Sequence, residues 1–196
     1  MPALPPITQA LLLVNTGVFC LQFLLGPWLE QWFALWPFAG GFLPWQVATY
    51  AFLHGDVLHL FFNMLGLWMF GAEIERVWGP RRFLQFYAAS VLAAAALQLV
   101  ITFLSGSPFP TVGASGGLYG LLLAYAVLFP NRTIMPLFPP IPMKARTFVI
   151  VFGALALFFG VTGTANGIAH FAHLGGMLGG WLMIRYWRGQ SPFGRR

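Results

Sequence analysis

Four polar residues stand in apolar surroundings where their side chains cost free energy: His59, Asn63, Ser115 and His173. A serine beside a histidine can act as nucleophile and base. An imidazole and an amide at i and i+4 share one helix face and can donate to a developing oxyanion. Each has an ordinary reading too. Serine in a membrane helix commonly bonds back to its own helix, a buried histidine can be a structural hydrogen-bonder, and a His–Asn pair can glue neighbouring helices. Histidine is also the side chain that moves protons near neutral pH.

These residues need elements to carry them, and the composition says which. The chain has 196 residues, 59% hydrophobic and 7% charged. A soluble domain carries about a quarter charged residues, so the bilayer must solvate most of this surface. In lipid every backbone polar group needs an internal partner, so the apolar runs must be helices. Six spans are expected: about Thr8–Leu25, Val57–Ala72, Phe83–Leu104, Ser115–Phe129, Thr147–Val161 and Ile168–Trp187. The fold class is therefore all-α integral membrane, one transmembrane domain over 1–196 with its core at about 8–187 and no sizeable extramembrane domain. The first span lacks a basic leader region and a small-residue cleavage site, and reads as a retained helix.

Six spans place all ten basic residues on one side: Arg76, Arg81 and Arg82; Arg132, Lys144 and Arg146; Arg185, Arg188, Arg195 and Arg196. The positive-inside rule makes that side and both termini cytoplasmic, and the plasma (inner) membrane is the expected location. The net charge of +6 does not suggest nucleic acid, because the cations sit singly or in pairs beside apolar stretches. Cys20 has no partner for an internal disulfide and reads as an inert thiol in a span. The connection from Gly26 to Gln46, with Trp28, Trp32, Trp36 and Trp45 among prolines, reads as an interfacial element or an aromatic belt.

Counting ~1.5 Å per residue from the inner helix ends puts Asn63 ~13 Å, His59 ~20 Å, Ser115 ~21 Å and His173 ~17 Å up their helices. All four share a slab within the ~30 Å hydrocarbon core, and that common depth favours the catalytic reading. A fourth span of fifteen residues reaches only ~22 Å, so Ser115 starts a helix inside the membrane, with free N–H groups and a positive dipole end. Gly113-Ala114-Ser115-Gly116 lets the chain turn there. Gly176 and Gly180 share one face of the sixth span and Gly175 and Gly179 another, while Gly116, Gly117 and Gly120 offer a smooth face on the fourth. Such spacing allows the close contact that would align Ser115 with His173. No carboxylate lies at that depth on either helix, so a dyad is expected rather than a triad. Asp56 is the nearest acid that could orient a histidine.

Gly113-Ala114-Ser115-Gly116, His59-Leu60-Phe61-Phe62-Asn63 and Ala172-His173-Leu174-Gly175-Gly176 resemble the GxSG, HxxxN and AHxxG signatures of rhomboid proteases, in the family's order. Leu53-His54-Gly55-Asp56 and Phe70-Gly71-Ala72-Glu73 also resemble the family, and the likeness covers about Thr8 to Trp187. It implies a six-transmembrane-helix bundle with a short fourth helix, and an intramembrane serine endopeptidase. Ser115 and His173 would be its dyad. His59, Asn63 and the Ser115 N–H would form the oxyanion hole, with Tyr119 packed on His173. It implies transmembrane protein substrates cut near small or helix-breaking residues. No metal or organic cofactor is expected. The glutamate and Trp-Arg signature found in the first loop of some members is absent as such, with Trp45-Gln46 near that place. His170, three residues before His173, is an additional histidine, and His54 reads as structural support near the outer interface. Two rival functions are a catalytically silent rhomboid-like escort of membrane clients, and a transporter or metal handler using the histidines. The first predicts loss of the serine or base. For the second, His54 and His59 diverge around a helix and no acidic or cysteine ligands join them.

Overall fold

A computed structural model describes residues 3–137, 140–162 and 169–190. Ile168, Arg195 and Arg196, which enter the expected sixth span and the charge argument, lie outside them. Eight α-helices occur among the described residues: α1 Pro6–Leu25, α2 Pro27–Phe33, α3 Gln46–Thr49, α4 Val57–Gly66, α5 Ala72–Ser105, α6 Ser115–Leu128, α7 Ala145–Thr162 and α8 His170–Trp187. A two-stranded antiparallel ribbon, β1 Thr133–Ile134 with β2 Met143–Lys144, closes the connection before α7. Among the described residues the fold is helical apart from this ribbon.

Three runs are long and apolar enough to cross a membrane: Pro6–Leu25, Val57–Ser105 and Ala145–Thr162. The second has 49 residues and holds two of the expected spans. Its interruption is local: a π-helical segment, Leu67–Gly71, joins α4 to α5, and Gly79 at φ 76° breaks the helix just before Pro80. Proline cannot continue the hydrogen-bond ladder of the preceding turn, and glycine alone takes that positive φ without strain. The break falls among Arg76, Arg81 and Arg82, where the sequence placed a connection. α6 is an apolar helix of 14 residues, too short to qualify. α8 has 18 residues, but four glycines and two histidines dilute its apolar content.

The centre is α8, packed between α5 and α6 with α7 on its flank. Small residues make this possible. A Cβ on Gly176 would collide with the carbonyl of Gly116, and one on Gly180 would lie 2.7 Å from the Phe86 ring and 3.3 Å from Gly120 Cα. On the neighbouring face, Gly175 and Gly179 meet α5, where an added Cβ would lie 2.8 Å from a backbone carbonyl oxygen (Ala93 and Ala89). The two glycine pairs of α8 therefore serve two partner helices. The smooth face of α6 needs correcting in one position: Gly117 packs on the Tyr87 ring of α5, whereas Gly116 and Gly120 lie at the seam where α5 (Ala94 and Ser90) and α8 (Ala172 and Gly176) both approach. Phe83, Phe86, Ile74 and Leu121 fill the space below. Leu13, Phe23, Leu24, Phe103, Leu104, Phe158 and Val161 face outward, as a lipid-solvated surface requires.

Two acids near the start of α5 join elements. Glu75, 2% exposed, accepts from the Ile7 and Thr8 N–H groups at 2.9 and 2.7 Å and from the Thr8 hydroxyl at 2.7 Å. The start of α1 has no cap of its own. A carboxylate from α5 satisfies its free donors and meets the positive end of its dipole. Glu73 pairs with Arg132, which also donates to the Tyr125 hydroxyl at 3.3 Å, tying the start of α5 to the end of α6.

Candidate active site

Ser115 begins α6 because the chain before it is held from two sides. Gly113, at φ 123°, donates its N–H to the Tyr50 carbonyl at 3.0 Å. Two residues earlier Thr111 exchanges both backbone hydrogen bonds with Leu35, each 2.9 Å. The long first connection thus braces the approach to the serine. Tyr50 is itself pinned, its hydroxyl donating to the Val91 carbonyl of α5 at 2.9 Å. Only a glycine fits at 113: its φ is strained for other residues, and a Cβ there would lie 2.7 Å from both Cε1 and Nε2 of His59 and 3.7 Å from Ser115 Oγ.

His173, one turn into α8 and 8% exposed, presents Nε2 to Ser115 Oγ at 2.8 Å. Its ring is stacked on Tyr119, one turn after the serine, with centroids 4.2 Å apart and planes 7° from parallel. A hydroxyl at hydrogen-bond distance from an imidazole nitrogen can lose its proton to it, and the stack restricts rotation of the ring. His173 Nδ1 is buried without a hydrogen bond among the described residues, so no carboxylate supplies a third member there.

His59 reaches the same place from α4. Its ring lies against Gly113, on the side where Ser115 Oγ sits. Asp56 does not hold that imidazole. Its carboxylate caps α4, Oδ1 accepting the His59 backbone N–H at 2.8 Å, while the ring Nδ1 accepts weakly from the Gly55 N–H at 3.4 Å. An aspartate at the N-cap of an apolar helix satisfies a free donor more readily than it reaches a side chain one turn on. Asn63 is 3% exposed, and its Nδ2 has no hydrogen-bond partner among the described residues. One turn further along α4, Gly66 packs on Leu118, which lies one turn after Ser115. The amide therefore sits at the level of the serine, without a direct bond to it.

His54, 1% exposed, is closer to the site than expected. Its ring meets that of His59 edge-on at 5.1 Å, with Phe19 behind it at 6.4 Å. Gln22 of α1 fixes the His54 backbone, accepting its N–H at 2.9 Å and donating to its carbonyl at 3.1 Å. His170 faces Phe159 and stands perpendicular to His173 at 6.1 Å; it is His173 that reaches Ser115. Gly176 and Gly180 lie away from the reacting atoms, at the α6–α8 contact that sets the Ser115–His173 distance. Tyr50, Gln22 and the Leu35–Thr111 bridge were invisible in sequence, because each acts across a separation in the chain. The Asp56 cap was legible as an aspartate directly before an apolar run.

The sequence profile of the Rhomboid domain matches residues 42–189. The chain belongs to the rhomboid family. This rhomboid is 32% identical over 140 residues to the Rhomboid protease GluP of Bacillus subtilis, covering 70% of this chain and 25% of the relative. It is 30% identical over 183 residues to the Rhomboid protease GlpG of Klebsiella pneumoniae, covering 91% of this chain and 62% of the relative. It is 33% identical over 141 residues to the mitochondrial Rhomboid protein 1 of Saccharomyces cerevisiae, covering 67% of this chain and 38% of the relative. The chain thus spans between a quarter and under two thirds of these relatives. Family and helices together make the rhomboid an integral membrane protein.

Proposed function

We propose that this chain is an intramembrane serine endopeptidase working through a Ser115–His173 dyad. The observation that carries the proposal is the 2.8 Å approach of His173 Nε2 to Ser115 Oγ at the start of α6. His173 takes the hydroxyl proton and Ser115 attacks the substrate carbonyl. The tetrahedral oxyanion is met by His59, the Asn63 amide and the Ser115 N–H, a first-turn donor with no partner in its own helix. His173 then protonates the leaving amine, and water hydrolyses the acyl-enzyme with the same histidine as base.

Residues 1–196 act as one domain, with six spans: α1, the two halves of the Val57–Ser105 run, α6, α7 and α8. At 14 residues α6 reaches ~21 Å, less than the ~30 Å core. The serine therefore opens into a cavity below the outer surface. The cations set both termini on the cytoplasmic side of a plasma (inner) membrane. Substrates are other membrane proteins, cut where small or helix-breaking residues let the scissile stretch leave its helical form. The chemistry is assigned to side chains and backbone alone.

Reconstituted protein and a single-span substrate containing a Gly- and Pro-bearing segment test the assignment. Wild type should cut it, and Ser115→Ala and His173→Ala should not. Cleavage by both variants at the wild-type rate would remove the dyad. Binding of the substrate without cleavage by wild type would support the silent-escort reading instead.

A further inference from the structure

A cavity lies in the connection between α1 and α4, apart from Ser115. It is an open cavity of about 750 Å³, and its walls include Glu30, Gln31, Trp32, Trp36, Gly41 and Leu43. The volume falls within the range of small-molecule sites. Its chemistry is one carboxylate among indoles. Glu30 is the only charged residue between Gly26 and Gln46, and no donor or cation among the described residues pairs with its carboxylate. The Trp36 N–H is engaged by the Glu30 carbonyl at 3.2 Å. Indole has no other polar hydrogen, so beyond that bond Trp36 offers the cavity its π surface. Trp32 adds a second ring. Its own backbone carbonyl accepts from the Trp45 indole N–H at 2.9 Å and the buried Gln46 side chain at 3.3 Å, which holds this wall in shape. Gln46 also accepts from the Trp36 and Leu43 N–H groups at 3.2 and 3.1 Å. The buried Gln46 amide thus ties together three backbone groups of the wall, at Trp32, Trp36 and Leu43.

A carboxylate with aromatic faces is the chemistry that recognises an ammonium group. The source of that ammonium follows from the surroundings. Trp28, Trp32, Phe38 and Trp45 are between 42 and 54% exposed around the same connection. Rings so placed sit at headgroup level in a bilayer. We propose that this cavity binds the ammonium of a zwitterionic phospholipid, an ethanolamine or choline headgroup. The binding is independent of the proteolytic reading of Ser115.

Native mass spectrometry of the full chain in detergent tests this, using phosphatidylethanolamine, phosphatidylcholine and phosphatidylglycerol with identical acyl chains. The two zwitterionic lipids should be retained about five- to tenfold more than the glycerol lipid, and Glu30→Gln should erase the difference at an unchanged unfolding midpoint. Tetramethylammonium chloride should saturably shift the tryptophan fluorescence of wild type, where sodium chloride at equal ionic strength does not. That measurement needs no variant. Equal retention of all three lipids overturns the proposal, as does a preference that survives Glu30→Gln or the absence of a tetramethylammonium response. Glu30-dependent binding of a lysine peptide without lipid preference would also overturn it, assigning the cavity to a polypeptide amine.

Discussion

At the residue scale the proposed machinery divides into groups that react and groups that hold them. Ser115→Ala should abolish covalent labelling by a fluorophosphonate. His173→Ala should slow it by about a thousandfold or more, because nucleophile and base fail together. His170→Ala should label at close to the wild-type rate, since His170 stands beside the base and away from the serine. Labelling lost equally in both histidine variants would move the base. His59→Ala and Asn63→Ala should each lower kcat by about 100–1000-fold with KM little changed, the signature of donors that act on the oxyanion. A rise in KM alone would return the pair to helix packing. Tyr119→Phe keeps the ring that stacks on His173 and should keep activity; Tyr119→Leu should lose it.

At the element scale, alignment depends on backbone contact that side chains would prevent. Gly176→Val should destabilise the protein by more than the ~1–3 kcal/mol usual for overpacking, because the new Cβ meets a carbonyl and not a movable side chain. Thermal unfolding in detergent measures it. Gly17→Ala is the control: nothing lies within 4 Å of its Cβ position, so the midpoint should hold or rise. Equal losses in both would mean that glycine content matters and helix approach does not. Glu75→Ala leaves three donors at the start of α1 without their acceptor. Each orphaned buried donor costs ~1–3 kcal/mol, so the midpoint should fall, with Glu75→Gln between the two. An unchanged midpoint would show that water or headgroups satisfy α1 instead.

At the scale of the whole molecule, the α1–α4 connection supports the site and does more than link two spans. It pairs Leu35 with Thr111 and contributes Tyr50 to the turn before Ser115, and its own shape rests on Gln46. Six spans also make a topological prediction. On a Cys20→Ser background, cysteines placed at Ala3 and Gln190 should react with an impermeant thiol reagent from the cytoplasmic side only. One at Phe38 should react from the opposite side only. Labelling of positions 3 and 190 from opposite sides would break the six-span arrangement.

The linear chain determined what depends on local composition and period. Fourteen charges in 196 residues dictated lipid as solvent, and the serine, histidine and His59–Asn63 motifs announced themselves as polar groups with no reason to be buried. The Gly79 break fell in the connection that Arg76, Arg81 and Arg82 marked, whereas the π segment Leu67–Gly71 lies within the expected second span. Tertiary structure decided which groups meet. That Gly117 faces Tyr87, that Asp56 caps a helix, and that Glu75 completes α1 all depend on the rotation and approach of helices far apart in sequence. So does the 2.8 Å between Ser115 and His173. Periodicity names the face a side chain occupies on its own helix, whereas a distance between helices is set by packing that no single segment contains.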